Sequence, residues 1–321
     1  MSSMKEIGGY FGLEQFSGEE YHKDAIAVNS GRNALLYILK ARNVKKLYIP
    51  AFLCDTVYKL CEREGYAYEF YSVDNAFMPI FDKPLLSGEW LYIVNYYGLI
   101  SNECLMKLKK RYGNVIFDNV QAFFQPALPG VDTVYSCRKF FGVPDGGYVS
   151  TDAVLDRPLP LDTSADRMRH ILGRFEECGS AYYADFQAND ENFYNLELRT
   201  MSRLTMNILR AVDYNDVISK RNANFAVLHD MLGDRNGIQP ITPNGPYCYP
   251  FYCENGLAIK KQLASQKIYV ATLWPNVLTE DAASPLEKDY TANILPLPCD
   301  QRYGKTEMEH IGKVVLTCLK T

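Results

Sequence analysis

Two ionisable residues follow apolar runs, in places where their side chains could take part in chemistry. Asp118 directly follows the apolar run 115–117, and Lys139 lies shortly after the apolar run 133–135. Burial lowers the pKa of a lysine amine, which suits a lysine to Schiff-base chemistry with a carbonyl compound. A buried carboxylate needs a cationic partner. A protonated pyridine nitrogen would serve, because the carboxylate keeps the ring protonated and electron-withdrawing. Each residue alone also fits an ordinary role, Asp118 as a helix cap and Lys139 as a solvated loop lysine.

A third segment, residues 29–33, has the composition of a phosphate-binding turn. It reads Asn-Ser-Gly-Arg-Asn between a predicted strand and a predicted helix. The first turn of a helix offers unpaired N–H groups and the positive end of the helix dipole, and both favour a bound phosphate. Gly31 lets the backbone approach an anion closely, and the hydroxyl of Ser30 adds a donor. A serine or asparagine before a helix is also typical of an ordinary N-cap, so this segment alone does not decide between the two roles.

The first half of the chain alternates strand and helix patterns. The predicted strands are 25–28, 46–49, 68–73, 90–96, 115–117 and 133–135, and the predicted helices are 31–42, 55–64 and 102–112. Strands separated by helices of about ten residues indicate right-handed crossovers and a mostly parallel sheet covered on both faces. Ligands of such sheets lie at the carboxyl ends of the strands. We therefore expect residues 29–33, 118–121 and 136–139 to meet at one edge.

The second half has a different pattern. Residues 199–232 are mostly helical in pattern but too long for an ordinary helix, so we expect a break near 213–215. Further along, the pattern predicts strands at 247–252 and 268–271 and helices at 257–266 and 305–319. The predicted fold class is α/β, with a large domain over residues 1–210 and a smaller α+β domain over 211–321.

Composition and charge exclude several classes of partner. The 321 residues are 47% hydrophobic and 22% charged, with a formal net charge of −4, and no basic stripe suggests nucleic acid or an anionic membrane. The nine cysteines form no CxxC pair and the four histidines are scattered, so we expect no metal site. We see no signal peptide and no apolar stretch of about 18 residues. The sequence thus predicts a soluble, cytoplasmic protein.

Five motifs, in the same order along the chain, resemble those of the DegT/StrS sugar aminotransferases, a fold type I family that uses pyridoxal 5'-phosphate (PLP). They are Asn-Ser-Gly-Arg-Asn-Ala-Leu, Ile-Pro-Ala-Phe, Asp-x-x-Gln, a Ser…Lys…Gly-Gly stretch and Leu-Pro-Leu before the last helix. They occupy residues 29–35, 49–52, 118–121, 136–147 and 295–303. The resemblance implies the type I fold, a PLP cofactor and aminotransferase activity.

The resemblance also implies the roles of the residues nearest the reaction. Lys139 would bond to PLP as a Schiff base and later move a proton between the substrate carbon and the cofactor. Asp118 would pair with the pyridinium nitrogen, and Gln121 would lie near the 3-hydroxyl group of the ring. Lys139 also argues against the members of the family that carry a histidine there and catalyse dehydration.

The same resemblance assigns residues to the phosphate and to the exposed face of the ring. The backbone N–H groups of Gly31 and Arg32 and the hydroxyl of Ser136 would hold the phosphate. An aromatic side chain from residues 52–54 would stack on the ring, and Phe52 is the candidate. The family takes one asparagine from the partner subunit, which implies a homodimer with shared active sites, and Asn195 is the candidate here.

Several departures from the family pattern indicate a divergent, short member. Ser136 and Lys139 are three residues apart where five is usual, and Arg32 replaces a small or hydroxyl residue. Asn195 lies two residues out of register with the family's Gly-x-Asn-x-Arg stretch, and the histidine expected after residues 273–275 is absent.

Three functions remain open from the sequence. The first is a transaminase that moves an amino group, with glutamate as the expected donor, to a nucleotide-linked keto-sugar in polysaccharide or amino-sugar biosynthesis. The second, motivated by the departures, is a PLP-fold protein with another PLP reaction or a non-catalytic regulatory or binding role. The third is a Rossmann-like nucleotide enzyme, which the single glycine in residues 29–33 argues against.

Overall fold

The computed structural model describes residues 7–239, 241 and 243–320. Its strands are β1 Ile26–Val28, β2 Lys46–Pro50, β3 Ala67–Val73, β4 Pro79–Ile80, β5 Glu89–Val94, β6 Val115–Asp118, β7 Asp132–Ser136, β8 Gly147–Ser150, β9 Tyr249–Tyr252 and β10 Ile294–Leu297. Its α-helices are α1 Gly31–Ala41, α2 Asp55–Glu64, α3 Asn102–Tyr112, α4 Arg169–Glu176, α5 Tyr183–Asn192, α6 Arg203–Leu209, α7 Tyr214–Leu232, α8 Gly256–Ser265, α9 Pro285–Asn293 and α10 Lys305–Cys318. Short 3₁₀ turns include Phe193–Asn195 and Pro275–Thr279.

The large sheet confirms the predicted mostly parallel arrangement. Its strands lie in the order β1-β8-β7-β6-β5-β2-β3-β4, and the five strands β3, β2, β5, β6 and β7 pair in parallel. The sequence did not predict β8, which pairs antiparallel with both β7 and β1. Two reversals leave β1 running in the same direction as β7. The ends of β1, β6 and β7 therefore lie at one edge of the sheet, as expected.

Local signals in the sequence explain where the crossover helices begin and end. Ser30 and Ser101 cap α1 and α3 by accepting from backbone N–H groups. Gly65 ends α2 in the left-handed region, at a φ of 74°, where a residue without a Cβ is favoured. The apolar side of α1, with Leu35 and Ile38 fully buried, packs into the core beneath the sheet.

The second half contains a smaller unit around an antiparallel pair, β9 and β10. Helices α7, α8 and α10 cover this pair, and Phe225, Phe251 and Leu263 are fully buried between them. The expected break in the long helical region is present between α6 and α7, where Asp213 caps α7. The boundary after residue 210 stays a prediction.

The predicted strand at residues 268–271 is wrong. This segment is irregular, and Tyr269 within it is 72% exposed. The partner of β9 is β10, whose Leu-Pro-Leu residues were predicted only as a segment before the last helix. An apolar run of four residues does not by itself show that the segment pairs with another strand.

Part of the second half packs on the large sheet. Glu287 of α9 is fully buried, and its Oε1 accepts from the backbone N–H of Val73 at 2.9 Å. Trp274 packs edge-on against Phe52 at 4.7 Å between ring centroids. Within the described residues, no helix combines the length and apolarity needed to cross a membrane.

Candidate active site

Three loops converge at the carboxyl edge of the large sheet, as the sequence predicted. A Cβ placed on Gly31 would lie 3.2 Å from Ser136 Cβ and 3.5 Å from Val120 Cγ1. The start of α1 therefore touches both the loop after β6 and the loop after β7. A Cβ on Gly147, at the start of β8, would lie 2.7 Å from the carbonyl carbon of Ser30. Glycines at these two positions allow the backbone segments to approach this closely.

The start of α1 offers donors for an anion. Ser30 is the N-cap, and its Oγ accepts from the backbone N–H of Asn33 at 3.0 Å, so the ordinary capping role is present. The serine hydroxyl still has its hydrogen to donate, and the first-turn N–H groups of a helix have no intrahelical acceptor. Ser136 Oγ would lie 3.6 Å from a Cβ on Gly31, at the mouth of this turn.

The Arg32 side chain turns towards the 3₁₀ turn Phe193–Asn195. Its guanidinium donates to the carbonyl of Phe193 and lies 4.7 Å from the ring centroid of Tyr194. Burial lowers the pKa of Arg32, and its buried Nε has no partner among the described residues. The guanidinium is thus engaged with the turn Phe193–Asn195, and the role of the Arg32 backbone N–H in phosphate binding stays a prediction.

Asp118 is buried at the end of β6 and accepts two hydrogen bonds. Tyr92 donates its hydroxyl to Oδ2 at 2.6 Å, and the backbone N–H of Val120 donates to Oδ1 at 2.8 Å. Burial raises the pKa of Asp118, while the Tyr92 hydroxyl and the charge of Lys139 act in the opposite direction. The sequence reasoning missed Tyr92. The signal was a tyrosine within the buried apolar run Leu91–Val94 of β5.

Gln121 carries a buried donor that is not satisfied within the described residues. Its Oε1 accepts from the backbone N–H of Tyr97 at 2.7 Å, but its Nε2 has no partner, although the residue is only 1% exposed. An unsatisfied buried amide is unfavourable by about 1–3 kcal/mol. An acceptor on a bound molecule would remove that penalty. We use the term inner pocket for the group Gly31, Asp118 and Gln121. Their side-chain and backbone groups would suit a planar ligand with a cationic nitrogen, an oxygen acceptor and a phosphate.

Lys139 lines a larger cavity, and its charge acts on the carboxyl of Asp118. Its side chain is half-buried, and its Nζ lies 5.7 Å from the ring centroid of Tyr247. The cavity, of about 730 Å³, lies between the large sheet, helices α4 and α5, and the smaller unit. We call this space the outer cavity; its lining includes Arg138, Lys139, Phe140, His170, Arg174, Phe186, Arg221, Tyr247, Tyr269, Asp300, Gln301 and Arg302.

The outer cavity is rich in cations. Asp300 is the only acidic residue among the described residues that line it, and it is paired bidentately with Arg302 at 2.7 and 2.9 Å. Arg138 pairs with Asp190 at 3.0 Å, on the exposed side. Arg221 is 1% exposed and donates to Gln301 and to backbone carbonyls instead of a carboxylate. Arg174 makes no ion pair within the part of the chain that is described.

The structure does not bring the ring of Phe52 to this site. Phe52 is fully buried, with its ring against Tyr96 at 5.1 Å and Trp274 at 4.7 Å between centroids. Cys54, two residues along, is half-buried and close enough to Arg32 to influence the pKa of that arginine. The role of Phe52 in covering a cofactor ring stays a prediction, and it would need the surrounding aromatic side chains to move.

Asn195 is exposed at the end of the 3₁₀ turn. The residues after it are fixed on α1, because Asn33 Nδ2 donates to the carbonyls of Leu196 at 3.2 Å and Glu197 at 2.9 Å. Asn195 is therefore held at the surface beside the phosphate turn. Its assignment to a partner's active site stays a prediction.

Sequence comparisons give no assignment, because no protein-family model matches the chain and no curated protein is significantly similar to it. Solved structures do match. NtdA from Bacillus subtilis with bound PMP has a TM-score of 0.66 at 16% identity, over 96% of this chain and 79% of that one. A DegT DnrJ EryC1 StrS aminotransferase from Brucella abortus has a TM-score of 0.63 at 16% identity, over 91% of this chain and 85% of that one. DesV from S. venezuelae with a ketimine intermediate has a TM-score of 0.61 at 18% identity, over 91% of this chain and 83% of that one. The chain therefore has the fold of the DegT/DnrJ/EryC1/StrS aminotransferases, the type I fold predicted from its sequence.

Proposed function

We propose that this chain is a PLP-dependent aminotransferase that moves an amino group from an amino acid to a keto-sugar. The observation that carries the proposal is the placement of Lys139 close enough to the buried Asp118 to act on its pKa, at the carboxyl edge of the sheet. Beside them are the phosphate turn at Gly31 and the unsatisfied donor of Gln121. The fold shared with solved aminotransferases supports the same chemistry, although fold alone does not decide function.

Each residue of the proposed site would have a separate role in the reaction. PLP, when bound, supplies a carbonyl group that accepts the amino group and a ring that withdraws electrons. Asp118 would hold a proton on the ring nitrogen, and Gln121 Nε2 would donate to a ring oxygen. Lys139 Nζ would hold the cofactor and would act as the group that moves the proton at the reacting carbon. The N–H groups of Gly31 and Arg32 and the hydroxyls of Ser30 and Ser136 would bind the phosphate.

The outer cavity supports an acceptor that carries negative charge. Its volume of about 730 Å³ is within the usual range for small-molecule sites, and its lining contains five cationic residues, Arg138, Lys139, Arg174, Arg221 and Arg302, against one acid. A sugar linked to a nucleotide diphosphate would match this charge, as would the carboxylates of glutamate as donor. We place the reaction in polysaccharide or amino-sugar biosynthesis and expect a cytoplasmic enzyme.

Exposed apolar side chains support the proposed homodimer. The segment that leads into β1 has Ile7 and Phe11 each 99% exposed, and Phe175 on α4 is 90% exposed. Apolar surface of this extent commonly marks a protein interface. Such a dimer would bring Asn195 of one subunit towards the other. Light scattering should give twice the mass of the chain, and Phe175→Ser should weaken the association. A monomer at micromolar concentration would contradict the proposed shared site.

The test of function is the visible absorption spectrum with added PLP, before and after borohydride. Wild type should give a yellow band that borohydride removes, and Lys139→Ala should lose or alter that band and abolish turnover. Lys83→Ala is the control, because that lysine is exposed and pairs with Glu69 away from the site. A wild-type protein with a PLP band but no conversion by any amino donor would support the non-catalytic alternative. No band at all would refute the proposal, and full activity of Lys139→Ala would refute the lysine assignment.

A further inference from the structure

Strand β5 carries a buried hydroxyl that reaches the carboxylate of Asp118. The Tyr92 hydroxyl donates to Asp118 Oδ2 at 2.6 Å, and the two residues are only 2% and 4% exposed. In the parallel pairing of β5 with β6, Val94 lies opposite Asp118 and Tyr92 lies opposite Ile116. Because side chains alternate along a strand, Tyr92 and Asp118 share one face of the sheet, and the long tyrosine side chain spans the offset.

Packing alone does not explain a tyrosine at this position. The buried neighbours of Tyr92 along the strand are aliphatic, namely Leu91, Ile93 and Val94. A phenylalanine would fill nearly the same volume without a hydroxyl group that has to be satisfied. The hydroxyl of Tyr92 is satisfied by Asp118. The bond is therefore a feature of the carboxylate site as well as of the core.

The surroundings of Asp118 show what this bond does. Burial raises the pKa of Asp118, whereas the Tyr92 hydroxyl, the charge of Lys139 and the N–H of Val120 lower it. Tyr96 is also near this carboxyl: burial and nearby negative charge, including that of Asp118, raise the pKa of Tyr96. In the proposed enzyme, the Lys139 amine would hold the cofactor and would not be free to donate to the carboxylate. Tyr92 and Val120 then remain as donors to the carboxylate.

We propose that Tyr92 is a positioning residue that keeps Asp118 ionised and holds its Oδ2, so that the carboxylate is ready to pair with the ring nitrogen of the cofactor. The coupling between Tyr92 and Asp118 is a property of the protein without cofactor. Its consequence for the cofactor rests on the proposed function. Two measurements separate these parts.

The first measurement is a double-mutant cycle in urea without cofactor, with Tyr92→Phe, Asp118→Asn and the double variant at pH 5 and pH 8. Loss of the hydroxyl should raise the folded-state pKa of Asp118 further, and a carboxyl with a raised folded pKa destabilises the protein above that pKa. Tyr92→Phe should therefore increase the unfolding equilibrium constant about tenfold more at pH 8 than at pH 5. In the Asp118→Asn background the effect of Tyr92→Phe should not depend on pH.

The matched control is Tyr71→Phe. Tyr71 is also buried in this sheet, and its hydroxyl donates to the backbone carbonyl of Tyr92 at 2.7 Å instead of to a carboxylate. Its removal should destabilise the protein equally at both pH values. The coupling is overturned if Tyr92→Phe shows the same pH dependence in both backgrounds, or no more than Tyr71→Phe.

The second measurement is the dissociation constant of PLP between pH 5 and pH 8. As the pH falls, Asp118 should become protonated at a higher pH in Tyr92→Phe than in wild type. The acidic limb of PLP binding should therefore move up by about 0.5–1 pH unit, while Tyr71→Phe follows wild type. If the cycle shows coupling but the acidic limb of PLP binding does not shift, Tyr92 acts on Asp118 without affecting cofactor binding, and only that second part of the proposal is overturned. A wild type that binds no PLP would refute the proposed function, while the cycle still decides whether Tyr92 controls Asp118.

Discussion

The inner pocket and the outer cavity differ in how their polar groups are satisfied. In the inner pocket, Asp118 is fixed by Tyr92 and by a backbone N–H, and it lies at the end of a strand in the middle of the sheet. In the outer cavity, Arg174 lies on a short helix at the surface, exposed and without an ion pair among the described residues. Groups held by rigid elements suit a fixed cofactor, whereas an exposed cation on a peripheral helix, such as Arg174, suits recognition of a charged substrate that arrives and leaves.

The largest expected effect comes from the inner pocket, through Asp118→Asn. An amide cannot hold a proton on the ring nitrogen, so kcat should fall by about 10²- to 10³-fold, as when one fixed electrostatic group is removed from an active site. The cofactor should stay attached through Lys139, which the borohydride-sensitive band reports.

Asp132→Asn is the control for Asp118→Asn. Asp132 is 2% exposed and pairs bidentately with Arg42 at the other end of β7, so its loss should lower stability without a matching loss of kcat. An Asp118→Asn enzyme that retains kcat within threefold would show that the inner pocket does not act on the ring, and the contrast between the two regions would then disappear.

A smaller effect is expected at the phosphate turn, through Gly31→Ala. The added Cβ would lie 3.2 Å from Ser136 Cβ, which is tight, so the turn or the loop after β7 must shift. The dissociation constant of PLP should rise about tenfold, with the wild-type band restored at saturating PLP. Gly12→Ala is the control, because a Cβ there has no atom within 4 Å. Equal PLP affinity in both variants would show that the turn is not a phosphate site.

The two regions also differ in how far the sequence predicted them. The inner pocket follows from strand ends and helix starts; Ser30, for example, marks the start of α1 through its capping preference. Residues 29–33, 118–121 and 136–139 could therefore be placed at one edge without coordinates. The hydrogen bond of Tyr92 could not, because it depends on the register between two strands, which a single sequence does not specify.

Prediction was poorer where tertiary contacts decide the structure. Residues 268–271 have the composition of a strand, yet they are irregular, and Tyr269 and Ala271 form part of the cavity wall. Helices α4 and α5, which carry Arg174 and Phe186, were not predicted, α4 because it is only eight residues long and α5 because it has no strong apolar periodicity. Phe52 was assigned to the site by its place in a motif, but the core contains its whole ring. Each case depends on a partner distant in the sequence, which propensity and periodicity do not specify.

The smallest expected effect tests the outer cavity, through Arg174→Ala. If this exposed arginine recognises charge on the acceptor, its loss should raise KM for a nucleotide-linked keto-sugar about fivefold and leave kcat unchanged, as expected for about 1 kcal/mol of uniform binding. The difference from wild type should shrink as salt rises, because exposed charges are screened. Arg169→Ala is the control on the same helix, since Arg169 is 76% exposed, pairs with Asp185 and does not line the cavity. Equal KM values for Arg174→Ala and Arg169→Ala would show that Arg174 does not recognise the substrate. A loss of kcat confined to Arg174→Ala would mean instead that the outer cavity, like the inner pocket, acts on the reaction itself.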